Sequence, residues 1–269
     1  MNKLACILSF VFFCAIADAQ TDTSFKLIKV ISGDIVAFTV DNLDNIYLLG
    51  STNQVKKINA NGDSVAIFND VKKFGQASLI DVSNPLKVLL YYRDFATIVV
   101  LDRLLNVRNT IDLRKQNILQ VRAIGQSYDN KIWVYDEVEN KLKKIDEDGK
   151  LLQETPDFRQ LFGDALSPQK IFDHDQFVYL YDSSKAVFVF DYYGALKNKI
   201  LISGWHNFKV AGKYIFGSAN NKLFRYDIKT FRLDEWEMPD EIYRSQSFNF
   251  SASRLYALKK DSIEIYSFR

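Results

Sequence analysis

Residues 129–149 read Asp129-Asn130-Lys131-Ile132-Trp133-Val134-Tyr135-Asp136, then a short polar loop, then Lys141-Leu142-Lys143-Lys144-Ile145-Asp146, and then Asp148-Gly149. Two runs rich in β-branched and aromatic residues, each bounded by Asp, Asn or Gly, are the pattern of strand, turn and strand. Asp148-Gly149 supplies a hairpin turn into a further strand, because glycine takes a positive φ at little steric cost. The flanks complete a unit of four strands: residues 120–124 innermost, 131–135, 141–145, and 151–154 outermost.

The same grammar recurs along the chain. Asp44-Asn45-Ile46-Tyr47 leads through Val55 to Asn59 and then Asn61-Gly62; later copies run through Phe177 to Asp191 with Gly194, Lys213 to Asp227, and Arg254 to Ser267. A degenerate copy spans Lys87 to Asp102. The polar residue closing the third strand is Asn59, Asp102, Asp146, Asp191, Asp227 and Ser267, with spacings of 43, 44, 45, 36 and 40. A small sheet repeated at this period predicts radial repetition, an all-β, six-bladed propeller of four-stranded antiparallel blades over residues 20–269; a seven-bladed ring is the alternative. The sixth copy stops after its third strand, while residues 25–31 form a spare strand at the other end. Pairing the two closes the last blade and leaves no long sheet edge exposed.

The Asp-Asn strand starts with Ile-Tyr or Ile-Trp pairs, and the Ile-Asn and Ile-Asp strand ends that lead into Asn61-Gly62 and Asp148-Gly149, resemble the six-bladed β-propellers of the NHL-repeat-like group. The resemblance covers residues 25–269. It implies a fold and no activity, since propellers host enzymes, lectins and scaffolds alike.

Residues 1–19 carry a different signal. Lys3, an apolar run from Leu4 to Ile16, and Ala17-Asp18-Ala19 have the layout of a secretory signal peptide cut after Ala19. The run is too short for the roughly 20 residues of a membrane span. Cleavage removes Cys6 and Cys14, the chain's 2 cysteines, so the exported protein rests on its core alone. An Ala-Gln junction without a mature cysteine resembles exported proteins of Bacteroidota, which implies the periplasm or cell surface. The net charge of +2 predicts no nucleic-acid partner, and no further segment approaches transmembrane length.

Chemistry is sparse. His174 and His206 are the 2 histidines, and with no mature cysteine a zinc site and a cysteine nucleophile are not expected. Asp173-His174-Asp175 reads first as a polar turn, and Asp41, Asp44, Asp146 and Asp148 as turn residues rather than calcium ligands. The inner-strand residues Phe38, Leu79, Ile80, Ile124, Ile171, Phe172, Phe208 and Phe248 predict an apolar plugged hub, with Asp81 and Asp173 as exceptions that keep a lactonase-type or lyase-type metalloenzyme as the alternative. The pairs Lys56-Lys57 and Lys143-Lys144 read as solvated strand faces. No catalytic residue, metal or cofactor is assigned.

Binding is the better expectation. Loops joining second to third strands share a face with the connections between blades. That face carries Arg93 and Phe95, the long segment 155–169 with Arg159 and Phe162, and Trp205-His206. Arg and Trp are enriched at binding hot spots; the plain alternative for Phe158, Leu161 and Phe162 is a short turn packed onto the blades. The expectation is a secreted, non-catalytic interaction module for another envelope protein or a glycan.

Overall fold

The structure, a computed structural model, describes residues 25–251 and 253–268. The signal peptide expected at residues 1–19 lies outside the described residues. β1 (Phe25–Ser32) comes first. β2 (Ala37–Val40), β3 (Ile46–Leu49), β4 (Val55–Ile58) and β5 (Ser64–Phe68) form blade 1. β6 (Leu79–Asn84), β7 (Lys87–Tyr92), β8 (Thr97–Asp102) and β9 (Val107–Asp112) form blade 2. Blade 3 holds β10 (Val121–Gln126), β11 (Ile132–Asp136), β12 (Lys141–Ile145) and β13 (Leu151–Glu154). Blade 4 holds β14 (Lys170–His174), β15 (Phe177–Asp182), β16 (Ala186–Asp191) and β17 (Leu196–Ile200). In blade 5 are β18 (His206–Ala211), β19 (Tyr214–Ala219), β20 (Lys222–Asp227) and β21 (Leu233–Glu237). Blade 6 is β22 (Ser247–Phe250), β23 (Arg254–Leu258) and β24 (Ser262–Phe268), completed by β1. β1 lies antiparallel to β24, with Phe25 opposite Phe268 and Ser32 opposite Ser262. The ring has six four-stranded blades, and its first strand seals the last blade as expected.

Burial follows from this stacking. The middle strands β7, β15 and β16 are buried along nearly their whole length, because each blade is covered on both faces by its neighbours. The outer strand β21 alternates between exposed and half-buried residues. Core clusters therefore sit between blades: Tyr47 and Leu49 of blade 1 pack with Val88 and Leu90 of blade 2, and Trp133 and Tyr135 of blade 3 with Val178 and Leu180 of blade 4.

The repeat's marker residue has a physical explanation. Asp102 Oδ1 accepts from the Leu104 and Asn106 backbone N–H groups at 2.7 and 2.9 Å, and Asp146 Oδ1 from Asp148 and Lys150 at 3.0 and 2.8 Å. Asp191 does the same for Tyr193 and Ala195, both at 2.9 Å, and Asn59 for Asn61 and Asp63, also at 2.9 Å. Each closes the hairpin into the outermost strand by holding donors that the turn leaves without a backbone acceptor. Gly149 completes one of these turns at φ +84°.

Several lysines depart from the sequence expectation. Lys57, Lys143 and Lys144 are buried rather than solvated. Lys57 Nζ donates to the Arg103 carbonyl of the next blade at 3.0 Å, and Lys143 Nζ pairs with Asp136 and Glu139, both at 2.8 Å. Lys87 likewise reaches from blade 2 to Glu147 and the Asn130 carbonyl of blade 3, at 2.7 and 2.6 Å. In Lys57 and Lys87 a long apolar stem lines the inter-blade seam while the ammonium finds an acceptor in the neighbouring blade, whereas Lys143 is paired within its own blade. Strand alternation marks these residues only as polar; the partners come from the fold.

Candidate functional site

The ring has two loop faces. The hairpin face carries the turns joining first to second and third to fourth strands; the junction face carries the second-to-third turns and the connections between blades. A cleft of about 550 Å³ opens on the hairpin face between blades 3 and 4, lined by Tyr128, Asp173, His174, Asp175, Gln176 and Tyr192. Its elements are the β10–β11 turn, the β14–β15 turn and the β16–β17 turn.

Asp173 organises it. Its Oδ2 accepts from Ser127 Oγ at 2.8 Å, the Trp133 indole N–H at 3.0 Å and the Tyr128 backbone N–H at 3.3 Å, and its Oδ1 accepts from the Tyr192 hydroxyl at 2.6 Å. Burial, reinforced by the Asp173 carboxylate, pushes the Tyr192 hydroxyl up from its ordinary value, so it stays a donor. The Tyr192 and Tyr128 rings stack at 4.5 Å with 16° between planes. Beneath them Lys144 Nζ lies 5.3, 5.0 and 5.5 Å from the centroids of Tyr128, Trp133 and Tyr192, and it pairs with Asp129 at 2.8 Å. Contacts of this type contribute about 0.5–2 kcal/mol each. Two blades thus hold a stiff aromatic platform on an internal cation, while the upper ring remains open: Tyr128 is 67% exposed. Asp175 and Gln176, exposed at consecutive positive φ of 51° and 71°, form the polar rim, and His174 is half-buried beside them.

The axis differs from the apolar hub expected. Ile124 and Leu79 pack between blades 2 and 3, Ile171 between blades 3 and 4, Phe172 and Phe208 between blades 4 and 5, Phe248 between blades 5 and 6, Phe38 between blades 6 and 1, and Ile80 between blades 1 and 2. Inner-strand side chains alternate toward the two flanking blades, so the apolar ones leave the axis to long polar groups. Lys209 Nζ donates to the Val40 carbonyl of blade 1 and to Asn249 Oδ1 of blade 6, the latter at 3.2 Å, and Asn249 Nδ2 donates to Thr39 Oγ1 at 3.3 Å. Asp81 accepts from the Ser83 N–H at 2.9 Å, Ser83 Oγ at 3.1 Å and the Gln126 N–H at 2.7 Å. Among the described residues, no group of three or more His, Cys, Asp or Glu is placed to share a metal ion.

The residues expected to bind lie on the junction face, but they differ in how open they are to solvent. Arg93 and Phe95 are exposed on the β7–β8 turn of blade 2. Arg159 lies in the short helix α1 (Phe158–Phe162) between blades 3 and 4; its guanidinium is held by Asp157, with Nε to Oδ1 at 2.9 Å and an Nη to Oδ2 at 2.6 Å. Phe162 packs on Phe158 and Phe188, centroids 5.5 and 5.0 Å apart, so the packed-turn alternative describes both phenylalanines, while Leu161 stays exposed. Trp205 is only 8% exposed and stacks on Phe224 at 5.0 Å. A Cβ at Gly217 would come within 2.6 Å of its indole, so glycine there makes the room. His206 is exposed. The sequence expectation did not include Tyr128, Tyr192 or Trp133, which the structure brings together around Asp173. A signal existed: Tyr128 precedes Asp129-Asn130, and Tyr192-Tyr193 precedes Gly194. A tight turn offers an aromatic ring little to bury against.

No family model matches the chain, and no curated protein matches its sequence. Solved structures do share the fold. A catalytically inactive H270A virginiamycin B lyase from Staphylococcus aureus with quinupristin is 14% identical, with a TM-score of 0.62 over 91% of this chain and 100% of that one. A streptogramin B lyase is 12% identical, with a TM-score of 0.61 over 91% and 88%. The Pan2 WD40 domain of Neurospora crassa is 9% identical, with a TM-score of 0.63 over 91% and 95%. These likenesses establish the propeller. A lyase and a WD40 domain sharing it at equal distance make the fold silent on activity.

Proposed function

We propose that the chain is an exported, non-catalytic binding propeller of the NHL-like kind, working in the periplasm or on the surface of a Bacteroidota-type envelope, and that its ligand seats on the Tyr128 platform between blades 3 and 4. The observation that carries the reading is the state of Asp173. Four donors occupy a carboxylate that would otherwise be the first choice as acid, base or ligand, and they use it to hold two tyrosines and a tryptophan in place. A preorganised aromatic face rimmed by a few polar groups is the ordinary make-up of a binding pocket. A flat ring face beside Asp175, Gln176 and His174 suits a saccharide, whose C–H face stacks while its hydroxyls bond to the rim.

The test is a glycan array probed with purified residues 20–269, followed by titration of the best glycan. Tyr128→Ala should weaken that glycan at least tenfold with little change in melting temperature. A protein that binds no glycan, or a variant that binds as well as the parent, overturns the reading. The lyase-type reading has His174 in the cleft as its support. A stoichiometric metal that survives dialysis would favour it.

A further inference from the structure

Phe231 occupies a backbone position that three other blades give to glycine. In the hairpins into the outermost strands, one residue donates its N–H back to the carbonyl of the turn-closing Asn or Asp: Gly62 to Asn59, Gly149 to Asp146, Gly194 to Asp191, Leu105 to Asp102 and Phe231 to Asp227, at 2.8–3.1 Å. All five have a positive φ, between 59° and 87°. Such a backbone is strained for a bulky side chain. Leu105 offsets the strain by burial: it is 3% exposed, in the core between blades 1 and 2. Phe231 is 67% exposed, so burial offsets little. Tyr193 projects further, but Gly194 takes the positive φ of its turn, and the exposure of that ring costs no backbone strain. A strained aromatic residue held out in solvent points to function rather than to folding.

Its place in the ring says which function. At the seam between blades 3 and 4, the first-to-second turn of blade 3 meets the third-to-fourth turn of blade 4, which sets Tyr128 on Tyr192 at 4.5 Å. One blade on, the same two kinds of turn meet again: Asp175 on the first-to-second turn of blade 4 pairs with Lys229 on the third-to-fourth turn of blade 5 at 3.5 Å. Phe231 follows Lys229 by two residues, a reach of at most about 7 Å between their Cα atoms. Asp175 also lines the Tyr128 cleft, so one wall of that cleft is itself in contact with the hairpin that carries Phe231.

We propose that the Tyr128 cleft continues past Asp175 to Phe231, and that the ligand is an oligosaccharide laid across two successive seams rather than a single sugar. The proposal rests on the saccharide reading of the cleft. Tyr128 stacks on one unit of the chain and Phe231 on a later one. Phenylalanine has no hydroxyl, so its ring contributes only an apolar face, which suits the C–H face of a sugar. Asp175 and Lys229 lie between the two rings, both exposed, and offer an acceptor and a donor to hydroxyls of the chain. The second ring engages a sugar already tethered at the first, so affinity grows with chain length although no single contact is strong.

The experiment is calorimetric titration of purified residues 20–269 with oligomers of the best array glycan, from the single sugar upward in length. Affinity should rise about tenfold or more with length and then level off. Phe231→Gly relieves the left-handed backbone, so its melting temperature should equal or exceed that of the parent. The same variant should bind the single sugar as the parent does and lose at least fivefold in affinity for the longest oligomer. Tyr128→Ala should weaken binding at every length. Equal affinity for all lengths, or a Phe231→Gly protein that binds the longest oligomer as tightly as the parent, would overturn the extended site and leave the Tyr128 reading standing. Binding of no glycan at any length would overturn both.

Discussion

The two loop faces differ in how many of their aromatic residues they bury. On the junction face Trp205, Phe158 and Phe162 turn inward and pack on Phe224, Phe190 and Phe188, while Phe95 and Tyr243 stay half outside. On the hairpin face Tyr128, Tyr193 and Phe231 remain outside, 67%, 89% and 67% exposed. The reason is loop length. Connections between blades are long enough to fold back and bury a ring against the seam, as α1 does; the hairpin turns are tight, and most of their rings project. A face is therefore not fit for binding because it holds Trp and Arg. It is fit where an aromatic ring is held rigidly and cannot be buried.

The contrast can be broken first at Trp205. Trp205→Ala should cost about 3–5 kcal/mol of stability, the usual penalty for emptying a large aromatic site, and lower the melting temperature by on the order of 10 °C. A calorimetric scan that moved by only a degree or two would show that the indole is not part of the core. Arg93→Ala with Arg159→Ala sharpens the comparison from the other side. This pair should leave capture of the best array glycan within twofold of the parent while Tyr128→Ala abolishes it; a tenfold loss would return binding to the junction face.

The smallest expected effect concerns pH. On the hairpin face the Lys213 ammonium beside Asp227, at 2.8 Å, together with the Lys229 and Thr230 backbone N–H groups, holds its carboxyl down at about 2. A carboxyl depressed in the folded state stabilises the fold above its unfolded value near 4 and stops doing so as pH falls toward 2. Asp227→Asn should therefore lower the urea midpoint slightly at pH 6, and the gap to the parent should close between pH 4 and pH 2. A gap that persisted at pH 2 would remove the ion pair from the account.

What could be read in advance divides along physical lines. Strand count, the six units and the closing strand follow from local patterns, and β12, β13 and β22 fall where the alternation puts them. The turn-closing Asn59, Asp102, Asp146 and Asp191 are equally local, since each bonds donors two and four residues on. The site is not local. Lys144 sits under Tyr192 because blade 4 follows blade 3 around the ring, and nothing between residues 144 and 192 announces it. Lys209 meeting Val40 depends on ring closure itself. Alternation separates polar from apolar positions; it does not say that apolar inner-strand residues take the seams and leave the axis to lysines.

The pairing of β1 with β24 sets the order in which the molecule can be made. Phe25 is among the earliest described residues to emerge and Phe268 among the last, so the seal forms only once nearly all of the described chain has been made. Until then the last blade has an open edge, while each of the other five blades already holds its four strands. The closure of the circle is thus a contact between residues more than two hundred positions apart, and loss of either strand would expose the edge of its partner.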